Sequence, residues 1–539
     1  MQPDVIVVGG GPAGSTAATM LARGGYRVTL LERERFPRDH IGESLLPASL
    51  PVLDALGVRD AVEQAGFLKK WGATMVWGTN NEPWSWYFRE TNKTHPHAYQ
   101  VWRPKFDQIL LENAAANGVD VRQEHRVTDL ELGGQGSMAV EFAGPGGVRD
   151  GLRARFVVDA SGQTGLIGRK LSLRRPDEKF LNLACYGYFA NAERLAEPNE
   201  TNILVESYEH GWFWAIPLHN GWMSVGAVVD HKYGAEGVRS QGAEAFLRAQ
   251  IEAAPHVSQM LRDAVLMQGP TVLRDWSYLS DEVAGDGWVL SGDAACFIDP
   301  LFSTGVHLAL SSGVLAAAYV TSALEEPAIR EPAGQVYKEL YLSQYHLFRQ
   351  LAGMFYATNR SVESYFWEAK RILGAEDLAP RAAFIRAVAG QPPKGYERMV
   401  LERGDAPAGF AEGLQELSAG RRARAEAFEA ALARPGQAGT ALHDAVLCLA
   451  PEAKVERKPV LEGDRFVWGH VLGSPDRPEG TPIAPLIVRL VALLDGRRTV
   501  AEAIRDLAGE AGSTPAALTG PVLQVLRTLV VEGSLAGIA

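Results

Sequence analysis

A glycine-rich turn lies directly after a short apolar run at the N-terminus, and this feature most constrains the fold. Val5 to Val8 predicts a buried strand, and the sequence Gly9-Gly10-Gly11-Pro12-Ala13-Gly14 follows it with GxGxxG spacing. A helix rich in alanine comes next, and a second strand ends beside Glu32. Glycines in such a turn allow a pyrophosphate to approach the helix N-terminus. The segment therefore predicts a βαβ dinucleotide-binding unit, in which Glu32 is placed to bind a ribose hydroxyl.

Bulk properties exclude several classes of protein. A chain of 539 residues predicts two or three domains, and a net charge of −11 argues against a nucleic-acid surface. Three separated cysteines and the lack of a basic leader segment predict a cytoplasmic protein in a reducing compartment. The uncharged stretch from Pro300 to Leu324 contains His307 and Ser311, so we expect a buried core helix and no stable membrane insertion.

The pattern along the chain predicts an α/β (α+β) fold. Aromatic and alternating residues predict an antiparallel sheet, inserted as a substrate domain at about 67–100 and 180–280. We expect a Rossmann-like binding and catalytic domain over 1–375 and a helical connector over 376–450. Three short helices after Pro485 predict a C-terminal module over 451–539 that resembles a small winged-helix domain.

Three later segments favour FAD over a nicotinamide. Arg103 and Asp107 lie at the start of a predicted helix, Asp159 ends a predicted strand, and Gly292-Asp293-Ala294-Ala295 follows another. This order resembles the flavoprotein monooxygenase superfamily, in which the aspartate matching Asp293 holds the ribityl chain. An ordinary helix N-cap is the alternative role for this aspartate. The resemblance implies an FAD site formed by Gly9, Gly11, Pro12, Ala13, Gly14, Glu32, Arg33, Arg103, Asp159, Gly292, Asp293 and Pro300.

Two further motifs narrow the resemblance. The sequence Trp212-Phe213-Trp214-Ala215-Ile216-Pro217 matches WxWxIP, and Phe297 to Gly305 matches FxxPxxSxG. Over about residues 1–375, the chain resembles the flavin-dependent halogenases. The resemblance implies that FAD, supplied as FADH2, reacts with O2 to a flavin hydroperoxide that oxidises chloride to hypochlorous acid. Trp212 and Trp214 would then separate the flavin from the substrate, although an aromatic pair in a sheet core is the simpler explanation.

The same resemblance assigns the halide and the chlorinating residue. Backbone N–H groups of the turn Ser303-Thr304-Gly305, just before a helix, can hold chloride without a charged side chain. Lys70, two residues before Gly72, matches the family's catalytic lysine and would relay hypochlorous acid to carbon. Lys69 is the reserve candidate, and a solvated surface pair of lysines is the alternative.

One departure from the family pattern concerns the substrate. Tryptophan halogenases carry glutamate immediately before the serine of SxG, whereas this chain has Phe302. We therefore expect an electron-rich phenol or pyrrole, or an activated acyl group, rather than free tryptophan. The substrate is expected to be a small molecule or a carrier-protein-tethered group in natural-product (antibiotic) biosynthesis.

The remaining expectations concern partners and competing functions. A single dinucleotide motif implies that a separate NAD(P)H flavin reductase supplies the reduced flavin, and no pattern of metal ligands is present. A flavin hydroxylase or isoprenoid reductase of the same superfamily is the main alternative, and a non-catalytic flavin-binding partner protein is another. In the C-terminal module acidic residues balance the arginines, which favours a lid or docking surface over nucleic-acid binding.

Overall fold

The computed structural model describes residues 2–78, 82–133, 137–357, 362–373, 378–390, 419–474 and 477–537. The chain divides into two compact units. The first comprises residues 1–373, 378–403 and 463–465, and the second comprises 374–377, 404–462 and 466–539. Of the predicted helical connector over 376–450, residues 376–377 and 391–418 lie outside the described residues.

The first unit contains both strands and helices. Its strands are β1 (Val5–Val8), β2 (Val28–Leu31), β3 (Leu68–Lys70), β4 (Gly72–Val76), β5 (Pro83–Tyr87), β6 (Ala98–Gln100), β7 (Asp120–Arg122), β8 (Arg126–Gly133), β9 (Ser137–Ala143), β10 (Arg149–Ala154), β11 (Phe156–Asp159), β12 (Arg174–Ala190), β13 (Ile203–Tyr208), β14 (Gly211–Pro217), β15 (Trp222–Asp230), β16 (Val265–Ser280), β17 (Ala284–Gly285), β18 (Trp288–Leu290) and β19 (Cys296–Phe297). Its helices are α1 (Pro12–Arg23), α2 (Leu50–Ala55), α3 (Arg59–Gln64), α4 (Arg103–Ala116), α5 (Leu166–Lys170), α6 (His231–Gln241), α7 (Ala243–Glu252), α8 (Pro255–Met260), α9 (Thr304–Glu325), α10 (Arg330–Ala357), α11 (Val362–Leu373) and α12 (Pro380–Val388).

A six-stranded, largely parallel sheet carries the dinucleotide-binding unit, in the order β17-β18-β11-β1-β2-β7. Strand β1 pairs in parallel with both β2 and β11, and all four of its side chains are buried. Burial on both faces explains the uninterrupted apolar run in the sequence. Helix α9 packs closely on α1 at Gly313. A Cβ there would lie 2.6 Å from the carbonyl oxygen of Ala13, so the close approach requires glycine. The expected Rossmann-like unit is confirmed.

An eight-stranded sheet forms the other half of this unit, in the order β19-β16-β12-β15-β14-β13-β4-β5. All its pairings are antiparallel except β13 with β4. One face packs on α7 and α8 through a core that includes Phe213, Val225 and Phe246. Because side chains alternate along β14, Trp212 and Trp214 lie on the opposite face. The expected inserted antiparallel sheet is confirmed.

Helix α9 is the uncharged segment singled out in the sequence. It is long and apolar enough to cross a membrane, but the whole of its apolar window is buried inside the protein. The residues His307, Ser311 and Ser312 are also buried, which fits a core helix and is costly in lipid. The expectation of a buried core helix is confirmed.

The second unit has helices and three small sheets among its described residues. Its strands are β20 (Pro435–Gly436), β21 (Gly439–Thr440), β22 (Val446–Leu449), β23 (Lys454–Glu462), β24 (Arg465–Ser474), β25 (Arg477–Ile483), β26 (Asp495–Thr499) and β27 (Leu535–Ala536), and its helices are α13 (Ala419–Ala433), α14 (Ala441–Asp444), α15 (Pro485–Leu493), α16 (Val500–Glu510) and α17 (Pro515–Val531). Ile504, Leu507 and Leu526 belong to its buried core. Three helices lie where the sequence predicts them, and their winged-helix character stays a prediction.

Candidate active site

The glycine turn is shaped by close backbone packing on one side and open space on the other. A Cβ at Gly9, whose φ is +104°, would lie 2.3 Å from the carbonyl oxygen of Ala160. A Cβ at Gly14 would lie 1.9 Å from the carbonyl oxygen of Gly9. At Gly11 a Cβ would meet only Arg38, at 3.4 Å. The turn is therefore tight where it packs and open where a pyrophosphate would lie, with the Arg38 guanidinium beside it.

Pro12 and Ala13 begin α1, and the next strand ends at the ribose-binding candidate. Pro12 suits the first helical turn because it has no N–H to satisfy. Each carboxylate oxygen of Glu32 accepts one backbone N–H, from Gly10 at 2.6 Å and from Glu34 at 2.8 Å. Each oxygen keeps a second lone pair that a ribose hydroxyl could use. Arg33 is more exposed and donates to the Thr164 hydroxyl at 3.1 Å.

Arg103 is held in a buried ion pair. Its guanidinium donates two hydrogen bonds of 2.8 Å to the carboxylate of Asp107, and a third to the carbonyl oxygen of Ile41. Asp107 also contacts Arg38 at 3.2 Å. A Cβ built on Gly42 would lie 2.9 Å from the Arg103 guanidinium, so the ion pair packs tightly against this segment. A direct contact of Arg103 with FAD stays a prediction.

The two aspartates assigned to FAD differ in what they already bind. Asp159 is fully buried and accepts bonds from the N–H and hydroxyl of Ser161 and from the N–H of Ile167, so it shapes its own loop. Asp293, which follows Gly292, accepts no side-chain hydrogen bond from the described residues. Burial raises the pKa of Asp293 to about 6, against the opposing pull of Arg103. A carboxyl without a protein partner fits a polar group of FAD better than a satisfied one.

The turn before α9 presents free backbone donors. Ser303 adopts the left-handed conformation, with φ 58° and ψ 30°, and its side chain does not cap the helix. Such a conformation in a residue other than glycine is strained and often marks a functional site. The N–H groups of Thr304 and Gly305 belong to the first turn, where helices lack internal acceptors. A Cβ at Gly305 would meet nothing within 4 Å, so this side of the first helical turn is open.

A small space, here called the inner cavity, joins this turn to the candidate lysine. Its volume is about 20 Å³ and its lining residues are Leu46, Lys70, Ala73, Met75, Trp86, Ile203, Val205, Leu301, Phe302, Ser303 and Val388. That volume holds about one water-sized species. Lys70 and Ser303 are far apart in sequence, and the fold brings them to the same cavity.

Lys70 is buried while Lys69 is exposed. The two residues alternate along β3, so only Lys70 points inward. The Nζ atom of Lys70 donates to the carbonyl oxygen of Leu45 at 3.1 Å and lies 5.5 Å from the centre of the Phe88 ring. Burial lowers the pKa of Lys70 from 10.5 to about 7. Near neutral pH this amine is therefore partly uncharged.

The two motif tryptophans are buried side by side, with ring centres 6.1 Å apart. The indole N–H of Trp212 donates to the Tyr356 hydroxyl at 2.7 Å, and that hydroxyl hydrogen-bonds to the carboxyl of Asp299. Trp214 donates to the Ser224 hydroxyl at 3.2 Å. Trp212 is thus tied through Tyr356 to the second motif, in which Asp299 precedes Pro300.

A larger depression, here called the outer groove, lies on the face of the eight-stranded sheet that carries Trp212. It has a volume of about 570 Å³ and is lined by Trp77, Asn182, Ser207, Tyr208, Glu209, His210, Gly211, Trp212, Val228, Val229, Asp230, Phe355 and Tyr356. The ring of Phe355 lies 5.5 Å from that of Trp77 and 5.1 Å from that of Phe302. Because Phe302 lines the inner cavity, Phe355 stands between the two spaces.

Sequence comparison decides the family to which this site belongs. Residues 4–96 and 89–391 match the family model described as tryptophan halogenase. A tryptophan 2-halogenase of Chondromyces crocatus is 38% identical over 375 residues, which cover 69% of this chain and 71% of the relative. The chain belongs to the flavin-dependent halogenase family.

Two further relatives of this halogenase extend the comparison. A 1H-pyrrole-2-carbonyl-(peptidyl-carrier protein) chlorinase of Pseudomonas fluorescens is 33% identical over 345 residues, covering 60% of this chain and 76% of the relative. The crystal structure of CmlS, a flavin-dependent halogenase, is 27% identical with a TM-score of 0.69, covering 100% of this chain and 96% of that chain. FAD, chloride and O2 are the family's cofactor and cosubstrates, and its members depend on a flavin reductase.

Several residues of the halogenase site were not predicted. Glu43 is buried and accepts a 2.7 Å hydrogen bond from the Tyr188 hydroxyl, and burial raises the pKa of Glu43. A lone acidic residue in the otherwise uncharged segment from Ile41 to Leu46 is the local signal that could have identified it. Tyr356 and Phe355 gave no such signal, because they are two of many apolar residues along α10.

Proposed function

We propose that this halogenase chlorinates an electron-rich aromatic substrate, with Lys70 delivering the chlorine and the Ser303-Thr304-Gly305 turn holding chloride. One observation supports this most: Lys70 and Ser303 line one cavity that holds about one water-sized species. Hypochlorous acid fits such a space, whereas an aromatic ring does not. The cavity therefore suits transfer of a small oxidant between the halide turn and the amine.

The residues of the site suit that transfer. Bound reduced FAD, with O2, supplies the oxidising equivalent that converts chloride to hypochlorous acid. The N–H groups of Thr304 and Gly305 would hold the anion, and the helix dipole of α9 favours negative charge at that end. The Lys70 amine can donate a hydrogen bond to hypochlorous acid in its charged form, or accept chlorine on nitrogen in its neutral form. Both forms are present near the lowered pKa of Lys70.

Phe302 bears on the substrate class. It lines the inner cavity where tryptophan halogenases carry a glutamate, so no carboxylate at this position stabilises a ring cation. A phenol or pyrrole, activated by its own heteroatom, needs less stabilisation than a plain indole carbon. We therefore favour a phenol or pyrrole over an activated acyl group. The tryptophan 2-halogenase relative requires that indoles be tested alongside them.

The proposal is tested with purified FAD-loaded protein, a flavin reductase, NADH and O2. Phenols, pyrroles, indoles and activated acyl groups, free and carrier-bound, are supplied with and without chloride and analysed by mass spectrometry. We expect a monochlorinated phenol or pyrrole that forms only with chloride and is lost in Lys70→Met. Oxygen insertion independent of chloride would instead identify a hydroxylase.

A further inference from the structure

The outer groove is a space beside the inner cavity that the proposed chemistry does not yet use. Its volume of about 570 Å³ falls within the range of small-molecule sites. It adjoins the inner cavity along the sheet: β4 places Met75 in the cavity, and Trp77, which follows β4, lines the groove. Strand β13 likewise places Val205 in the cavity and Ser207 in the groove. Two residues along a strand span about 7 Å, so the spaces are neighbours.

The wall of the groove is aromatic and its rim is acidic. Trp77, Trp212 and Tyr356 provide ring surfaces, and the Trp212 indole is fixed by its hydrogen bond to Tyr356. Glu209 and Asp230 are exposed carboxylates at the rim. Of the described residues that line the groove, none is a lysine or an arginine. One oxygen of Asp230 caps α6, which leaves the other available to a ligand.

We propose that the outer groove binds the substrate, and that it selects a free aromatic molecule whose tail is neutral or positively charged. This inference rests on the proposed chlorination. It places the aromatic ring of the substrate in the groove next to Phe355, and the hypochlorous acid in the inner cavity on the other side of Phe355. Among the described lining residues, an anionic tail, such as the phosphate of a phosphopantetheine arm, would meet two carboxylates and no lysine or arginine. The acidic rim therefore disfavours a carrier-tethered substrate.

Three phenols with matched rings test the charge preference: 4-ethylphenol, tyramine and 3-(4-hydroxyphenyl)propanoate. Their dissociation constants from resting, FAD-loaded protein are measured by fluorescence excited selectively at tryptophan, at low ionic strength. We expect tyramine to bind most tightly and the propanoate most weakly, by about tenfold between them. That ratio corresponds to two exposed charge pairs that each contribute about threefold.

Glu209→Lys should reduce the tyramine-to-propanoate ratio by about threefold or more, because it replaces a rim carboxylate with a cation. Glu236→Lys is the matched control, since Glu236 is an exposed acidic residue on α6 that pairs with Arg239 outside the groove. The control should leave the ratio unchanged. Both substitutions lie at exposed positions, so the variants are expected to fold.

The outcomes separate this inference from the proposed function. An unchanged ratio in Glu209→Lys, or tightest binding of the propanoate by the wild type, would overturn the groove assignment even if chlorination occurs. The expected order of binding without chlorination of any phenol or pyrrole would support the groove and refute the proposed reaction. Raising the salt concentration should weaken the charge preference, because the carboxylates are exposed.

Discussion

Replacing Lys70 with methionine tests the central assignment in two independent ways. Methionine keeps an unbranched side chain of similar length and removes only the amine. If Lys70 delivers chlorine, chlorination should fall by about 10²-fold or more, as for other positioned proton-transfer groups. FAD binding should be retained, because Lys70 contacts Leu45 and Phe88 rather than the glycine turn.

The same substitution should stabilise the fold. The pKa of Lys70 falls from 10.5 to about 7, a difference of about 3.5 units. At 1.36 kcal/mol per unit, the buried charge costs on the order of 5 kcal/mol well below pH 7. Loss of the hydrogen bond to the Leu45 carbonyl offsets about 1–3 kcal/mol of that. We therefore expect Lys70→Met to gain roughly 2–3 kcal/mol at neutral pH.

The gain should depend on pH with a defined sign. The folded pKa of Lys70 lies below the unfolded pKa, so folding releases a proton between about pH 7 and 10.5. Wild-type stability should rise with pH across that window, and the advantage of Lys70→Met should shrink with it. Urea unfolding of FAD-loaded protein at several pH values measures both.

Lys69→Met is the matched control, because Lys69 is exposed on the same strand. It should change the free energy of unfolding by less than about 0.5 kcal/mol and leave chlorination near normal. A Lys70→Met protein that is destabilised but still chlorinates would refute the reasoning, because Lys70 would then be a structural residue.

Three other predictions address the halide turn, the partner and a buried acid. Gly305→Pro should lose most chlorination activity because it removes a backbone N–H that would hold chloride, although proline is tolerated in a first helical turn. Thr304→Ala keeps its N–H and should retain much of the activity. Chloride titration of single-turnover chlorination measures both. NADH or NADPH alone should not bleach the bound flavin in stopped-flow mixing. Burial raises the pKa of Asp299 from 3.8 to about 7. Asp299→Asn should therefore be more stable than wild type above pH 7, and the difference should vanish below about pH 4. Urea unfolding at several pH values measures this.

Local patterns in the sequence predicted the parts of the site that local structure determines. The glycine turn at Gly9 to Gly14 depends on one strand and one helix that adjoin it in the chain. Lys70 is preferred over Lys69 because it lies two residues before Gly72, and alternation along β3 buries Lys70 and exposes Lys69. The shared face of Trp212 and Trp214 follows from the same rule.

Long-range packing determines the rest, and no local pattern encodes it. Tyr356 lies on α10 and meets Trp212 across 144 residues of sequence. Val388 of α12 lines the inner cavity. Nothing in the sequence of that helix indicates that it contributes to the site. Apolar helices such as these carry the periodicity of core packing, which does not indicate which side chains will face a cavity.

Burial acts on Lys70, which lines the inner cavity, and on Asp299, which lies two residues before Leu301 of its lining. It lowers the pKa of Lys70 to about 7 and raises the pKa of Asp299 to about 7. Groups of opposite type thus both shift toward their neutral forms, because a low-dielectric environment disfavours either charge. A fixed cation beside the halide turn would bind chloride tightly at all times and hold it back from oxidation. In the function we propose, neutral backbone donors at Thr304 and Gly305 and a partly neutral Lys70 amine would allow chloride to bind and its oxidised form to leave, which is the asymmetry that chlorine transfer requires.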